Sequence, residues 1–375
     1  MDFELSLEQR MLRDTARQLA ESVKWDELSD LEYPRAFAHA IADAGMTGIM
    51  MHPDDGGQGA SLIEALVVME AATMVHPRAG DVLQVTNFGA IRQIAELATP
   101  GAKERFMTPV LAGDAVTSIG ITEPESGSAV AEMKTTARIE GDEVVVTGSK
   151  IFNTHGPYAD HYVVWSRFAP GPDGIGSVIV PASTPGFSRG AVERHLSGEV
   201  HCALYFDGCR VPLDNILIQE GGLRRLLPVF NVERLGNAAR SLACGERAFA
   251  DAVTHVKNRK QFGRPLGDNQ GLRWRFADMR MKLDAARLLL YRAANTSDGI
   301  PDASHSAIAK LACNTAGFEV VNEAIQMHGA LGLSDQTILP YLLGRTRGWM
   351  IAGGTLEMMR NGIAQKVLGK VTKPD

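Results

Sequence analysis

Glu140-Gly141-Asp142-Glu143-Val144-Val145-Val146-Thr147-Gly148 is the stretch whose reading decides the fold class of this chain. A glycine between two acidic residues, followed at once by a β-branched run, reads as a hairpin turn feeding a strand. Further strand signals follow it. His161-Tyr162-Val163-Val164-Trp165 and Gly176-Ser177-Val178-Ile179-Val180-Pro181 are β-rich, and Ala169-Pro170-Gly171-Pro172-Asp173-Gly174 between them can only be a loop. Ala203-Leu204-Tyr205-Phe206 adds another strand, closed by Val211-Pro212.

On both sides of this β zone the pattern is helical. Ser6-Leu7-Glu8-Gln9 has the form of a capping box, and behind it Met11, Leu12, Ala16, Leu19 and Val23 recur at helical spacing. Ser61-Leu62-Ile63-Glu64 repeats the signal before Ala65-Leu66-Val67-Val68-Met69, and Pro53 to Gly59 between them is a flexible turn. After the β zone one long helix is expected from Leu227 to near Arg259, a second from Gln270 to Ala294 and a third from Ser304 to His328. The order is α+β: an N-terminal helical domain (1–115), a middle β domain (116–221) and a C-terminal helical bundle (222–375).

The chain of 375 residues is 45% hydrophobic, which is ample for a core in two or three packed units. Its formal charge of −6, from 38 basic and 44 acidic residues spread along the chain, argues against a nucleic-acid partner. Cys202, Cys209, Cys244 and Cys313 form no CxxC pair and read as buried thiols of a reducing compartment. Met1-Asp2-Phe3-Glu4 has neither the charge nor the apolar run of a secretory leader, and no run is long enough to span a bilayer. A soluble cytoplasmic protein of bacterial style is the expectation, with no membrane partner. GxGxxG, Walker A and HExxH motifs are absent, so nicotinamide, ATP and zinc mechanisms have no support, and no metal is expected.

Four segments carry chemistry. Ile121-Thr122-Glu123-Pro124-Glu125-Ser126-Gly127-Ser128 is a strand end and a small-residue turn able to approach a planar ring or pyrophosphate; an ordinary polar turn is the plain alternative. Lys150-Ile151-Phe152-Asn153-Thr154-His155-Gly156 follows in the β zone, with His155 expected as a solvated loop histidine. Arg259-Lys260-Gln261-Phe262-Gly263-Arg264-Pro265-Leu266, then Gln270, reads as a helix stop and turn, and an arginine there offers a fork suited to pyrophosphate. The fourth is Ile351-Ala352-Gly353-Gly354-Thr355-Leu356-Glu357-Met358-Met359-Arg360 near the C-terminus.

Together these segments resemble the acyl-CoA dehydrogenase family, from about residue 87 to the end. The resemblance implies FAD as cofactor. Ile121, Thr122, Gly127 and Ser128 match its Thr-Glu-Pro-x-x-Gly-Ser flavin motif, with Thr122 on the pyrimidine edge and Ser128 between the phosphates and the pantetheine arm. Phe152 and Thr154 stand where an aromatic flanks the flavin and a threonine hydroxyl reaches its N5. Arg259, Phe262 and Gln270 match the segment that binds the neighbouring subunit's FAD. Gln326-Met327-His328-Gly329-Ala330-Leu331-Gly332 matches the loop that meets the same adenosine half, so the resemblance implies a homo-oligomer, a tetramer. Thr355 and Glu357 belong to the FAD-binding tail, and Gly354 to the substrate side.

Most members of the family carry the catalytic glutamate at the position of Gly353. A minority take it from a helix about a hundred residues earlier, just before an arginine, where this chain has Val232-Glu233-Arg234-Leu235. Glu233 is therefore expected as the base that takes the α proton of an acyl-CoA thioester while the β hydrogen passes to the flavin. Gly353 keeps only its backbone N–H, a donor to the thioester oxygen. The plainer reading of Glu233 is a surface ion pair, although adjacent helix residues such as Arg234 do not face each other. Asn231 and Arg234 are expected at the CoA entrance. Glu199 and His201, in Ser197-Gly198-Glu199-Val200-His201-Cys202, are placed at the mouth of the site or on the surface. The family also implies an electron-transferring flavoprotein as electron acceptor. Three alternatives share the motifs: sulfinopropionyl-CoA desulfinases, which lack a base at both positions; dehydrogenases of carrier-bound acyl groups; and a catalytically silent subunit of a mixed complex.

Overall fold

The computed structural model describes residues 4–296 and 299–369. Met1, Asp2 and Phe3 of the N-terminal reading, and residues 370–375 of the expected bundle, lie outside the described residues. Helices Leu7–Glu21 and Leu62–Val75 both start on complete capping boxes, Ser6 with Gln9 and Ser61 with Glu64. The two boxes also meet each other, because Gln9 Nε2 donates to Glu64 Oε1 at 2.7 Å. The residues that begin these helices therefore also dock them together. Helix Pro77–Leu83 continues into a π-helical turn, Gln84–Phe88, whose wider winding sets Gln84 and Phe88 against the later helices.

The middle zone is a nine-stranded sheet. The hairpin forms as the sequence predicts: Thr136–Glu140 pairs antiparallel with Glu143–Thr154, with Glu140 opposite Glu143. The second strand does not stop at Gly148. There the backbone takes φ 146°, a Cβ would lie 2.5 Å from Thr135 Oγ1, and the pairing to Val200–Pro212 shifts register. This glycine irregularity lets one strand run on to Thr154, carrying the Phe152–Thr154 segment with it. His161–Arg167 and Ile175–Pro181 lie beyond the hairpin, and Thr117–Gly120 joins His161–Arg167 in parallel, delivering the chain to Ile121 and Thr122.

The C-terminal zone has helices Gly222–Asn258, Gln270–Ala294, Ala303–His328, Leu339–Trp349 and Leu356–Leu368. The second and third match the expected spans closely, and the first begins a turn earlier than expected. Small residues bring the first and third together. A Cβ on Gly245 would lie 3.0 Å from Gly317 Cα, and one on Gly317 would lie 2.2 Å from Ser241 O. This close approach holds the polar side chains two turns away in register.

The three zones meet at a buried ion cluster. Asp81 pairs with Arg240 at 2.8 Å and with Arg345, and Arg345 also pairs with Glu199 at 3.0 Å. A carboxylate from the N-terminal helices, one from the sheet and two guanidiniums from the bundle thus neutralise each other away from water. All four cysteines are buried and free. No helix among the described residues is long and apolar enough to cross a membrane.

Candidate active site

Glu233 lies in the long helix Gly222–Asn258, whose neighbouring residues Arg234 and Asn237 meet the turn after Trp349. Asn237, one helical turn on, has its Nδ2 4.0 Å from where a Cβ of Gly353 would sit. Arg234 Nε donates to Gly353 O at 3.0 Å, and its Nη1 to Asn231 Oδ1 at 2.6 Å. The turn is left-handed at Gly353 (φ 72°) and Gly354 (φ 94°). Among the described residues the Gly353 N–H has no hydrogen-bond partner. The fold therefore brings the helix that carries Glu233 against the turn that carries a free backbone donor, 120 positions further along the chain.

Glu233 Oε2 is closed off from solvent and has no hydrogen-bond partner among the described residues. Burial raises its pKa from the ordinary 4.5 to about 7, although the cations of Arg240, Arg234 and Lys310 pull the other way. Its proton is consequently exchanged near neutral pH, which suits a general base. No ion pair joins Glu233 to Arg234, in keeping with their adjacent helix positions.

Family models match along nearly the whole described chain: acyl-CoA dehydrogenase N-terminal domain over residues 6–114, middle domain over 118–209 and C-terminal domain over 220–368. The chain belongs to the acyl-CoA dehydrogenase family. It is similar to a 3-sulfinopropanoyl-CoA desulfinase of Paraburkholderia xenovorans, at 33% identity over 98% of both chains. A short-chain specific acyl-CoA dehydrogenase of Clostridium acetobutylicum is 32% identical over 98% of this chain and 100% of that one. The structure of butyryl-CoA dehydrogenase from Megasphaera elsdenii superimposes with a TM-score of 0.92 at 29% identity, covering 98% of this chain and 100% of that one. As a member of this family the chain is an oxidoreductase acting on acyl-CoA, with FAD as its cofactor.

The flavin motif fits that cofactor. Thr122 accepts from Ile151 N–H at 2.9 Å through its carbonyl, but its own N–H and hydroxyl are unused among the described residues. The loop behind it is fastened: buried Lys150 bonds Ile121 O at 3.1 Å and Glu123 at 2.8 Å, and Glu123 accepts the Thr135 N–H at 2.9 Å. A rigid base thus presents Thr122, with Gly127 and Ser128 exposed beyond it and nothing within 4 Å of a Cβ at Gly127. Phe152 is 55% exposed at φ 57°, an unusual backbone for a bulky residue, and its ring meets His195 edge-on at 5.8 Å while keeping about half its surface in solvent. Thr154 Oγ1 lies 3.2 Å from His201 Nε2.

The second set of expected FAD residues lies in the C-terminal helical zone. Arg259, Phe262, Gln270, Gln326 and Gly329 are all exposed, and Glu357 pairs with Arg360 at 3.3 Å. Thr355 caps helix Leu356–Leu368 by accepting the Met358 N–H. Beside this set an open groove of about 510 Å³ is lined by Asn269, Gly271, Leu272, Arg275, Gln326 and Met327.

Several expectations are corrected by burial. His155 is 8% exposed, shares a hydrogen bond of 2.7 Å with Tyr158 OH, and burial lowers its pKa to about 4; it is a core histidine. Glu199 and His201 are interior residues tied to Arg345 and Thr154. Asn231 is buried and fixes Arg234, so it does not stand at an open entrance. The sequence reading missed Lys310, Asn237, Gln84 and the Asp81–Arg240–Arg345 cluster. The available signal was a charged residue on the small, apolar face of an otherwise buried helix, as in Ala307-Ile308-Ala309-Lys310-Leu311-Ala312-Cys313.

Proposed function

We propose that this chain dehydrogenates an acyl-CoA thioester between Cα and Cβ with Glu233 as the base. The observation that carries the reading is a Glu233 Oε2 closed off from solvent without a partner among the described residues, on the helix whose next residue, Arg234, holds the turn bearing the free Gly353 N–H. Thr122, Gly127, Ser128, Phe152 and Thr154 would hold the flavin end of FAD, which supplies the acceptor for the electrons and hydrogen leaving Cβ. The Gly353 N–H donates to the thioester oxygen and stabilises the charge that develops there as the α proton departs. Glu233, held in a desolvated pocket, takes that proton on its free Oε2. Arg234 fixes the Gly353 carbonyl, and Gly354 and Ser128 flank the thioester and pantetheine path.

Exposed side chains support an oligomer. Phe262 stands fully in solvent at a left-handed turn (φ 52°), and Trp274, Met281 and Leu288 line one exposed side of helix Gln270–Ala294 at every second turn. We read these, with Arg259, Gln270, Gln326 and Gly329, as surfaces completed by other subunits of a homotetramer. The zones 1–115, 116–221 and 222–375 serve as its domains. A cytoplasmic location and an electron-transferring flavoprotein as acceptor complete the reading.

A panel of acyl-CoA thioesters added anaerobically, with flavin absorbance followed, tests it. Bleaching of the purified yellow homomer by a simple thioester supports dehydrogenation. The similarity to a desulfinase favours a second reading, and release of sulfite from 3-sulfinopropanoyl-CoA without lasting bleaching would replace the first with it.

A further inference from the structure

Lys310 is fully buried in the middle of helix Ala303–His328 and has no part in the mechanism above. Its Nζ donates to Trp349 O at 2.8 Å, Ala352 O at 2.8 Å and Asn237 Oδ1 at 3.1 Å. An ammonium has three N–H bonds, and these are three oxygen acceptors. A neutral amine would turn a lone pair toward one of them. Burial, then the nearby Arg234 cation, pull the Lys310 pKa down to about 7, while the Glu233 carboxylate pulls it up.

Two of the acceptors bracket the catalytic turn. Trp349 O is an orphan carbonyl at the end of helix Leu339–Trp349, where a cation is favoured. Ala352 O belongs to the same planar peptide as the Gly353 N–H. In a trans peptide the carbonyl and the N–H point in opposite directions. Fixing Ala352 O on Lys310 therefore fixes the aim of the Gly353 N–H, away from the buried ammonium. The same contact polarises the peptide and strengthens the N–H as a donor. On the next peptide Arg234 holds Gly353 O at 3.0 Å, so successive carbonyls are each held by a basic side chain.

We propose that Lys310 is the positioning residue of the oxyanion donor: by holding Ala352 O it orients and polarises the Gly353 N–H that meets the thioester oxygen. This rests on the reading that Gly353 contacts the thioester. The asparagines complete the frame, because Asn314 Nδ2 donates both to Asn237 Oδ1 at 2.9 Å and to Trp349 O at 2.7 Å.

The test uses butyryl-CoA labelled with ¹³C at the thioester carbonyl, bound to the FAD-loaded protein in a Glu233→Gln background so that the label is not consumed. Isotope-edited infrared spectra read the carbonyl stretch. A donor on the oxygen lowers that frequency relative to free butyryl-CoA. The expected result is a clear downshift in Glu233→Gln, most of it lost in Glu233→Gln/Lys310→Met and restored in Glu233→Gln/Lys310→Arg. With Glu233 intact, Lys310→Met should lower kcat about 100-fold, the scale of losing one oxyanion donor, while KM stays within a few-fold. If the Met variant does not fold, Lys310→Gln, which keeps two donors but no charge, takes its place. A full downshift retained without the lysine overturns the role of Lys310 alone. No downshift in the Glu233→Gln protein overturns the Gly353 contact on which the inference rests.

Discussion

Glu233→Gln separates the catalytic from the structural role of this carboxylate. The amide fills the same volume, and Oε2 has no partner to lose among the described residues. The folded protein holds the carboxyl at about 7 against an ordinary 4.5. A carboxyl raised in the folded state favours folding fully below pH 4.5, and that contribution is lost as the pH rises through about 7. At 1.36 kcal/mol for each pH unit between the two values, ionised Glu233 costs at most about 3 kcal/mol above neutrality. The Gln variant should therefore be more stable than the parent at pH 8, by about 1–3 kcal/mol, and match it near pH 4.5. Catalysis should move the other way. Removal of a general base costs about 10²–10⁴-fold, so anaerobic flavin bleaching by an acyl-CoA that the parent oxidises should slow by about that factor while FAD stays bound. In the parent the same rate should rise with pH and level off above about 7. Stopped-flow absorbance and urea unfolding measure the two effects on one preparation. A Gln variant that bleaches at the parental rate would refute the reasoning, whatever its stability.

Returning the carboxylate to position 353 should restore part of the activity. A Cβ there meets only ordinary contacts, 3.9 Å to Lys310 Nζ and 4.0 Å to Asn237 Nδ2, so Glu233→Gln/Gly353→Glu should bleach at least tenfold faster than Glu233→Gln alone, at a cost of about 1–2 kcal/mol for a side chain at φ 72°. Asp81→Asn should destabilise the fold by about 3 kcal/mol in urea unfolding, because Arg240 and Arg345 lose their shared carboxylate in the interior; a change under about 1 kcal/mol would mean that the cluster is hydrated. Phe262→Ser should shift the assembly toward smaller species in sedimentation velocity and weaken FAD retention, and an unchanged tetramer with full flavin would remove this turn from the interface.

Much of the fold is written in local patterns. The capping residues Ser6 and Ser61, the Glu140–Asp142 turn and the strand runs after it are short-range signals, and the helices and hairpin begin where those signals stand. The site was legible in outline, because the glycine at 353 and the glutamate at 233 can be recognised as a pair once the family resemblance is seen. Their surroundings were not. Leu62–Val75 and Ala303–His328 are buried around much of their circumference, so neither polar faces nor partners announce themselves along the sequence. His155 reads as a loop residue because it lies near glycine and proline; only the packing of Tyr158 and the N-terminal helices places it in the core.

By itself the sequence determined the α+β order and the helix starts, while the resemblance to a family offered candidate flavin-binding segments and two candidate positions for the base. It could do so because capping, turn chemistry and strand alternation act over a few residues. The tertiary structure decided that Glu233 is desolvated, that the Gly353 N–H is left free, and that Lys310 stands behind it with three acceptors. Those properties arise where segments far apart in the chain exclude water from a shared space, and desolvation is a property of that space, not of any one segment.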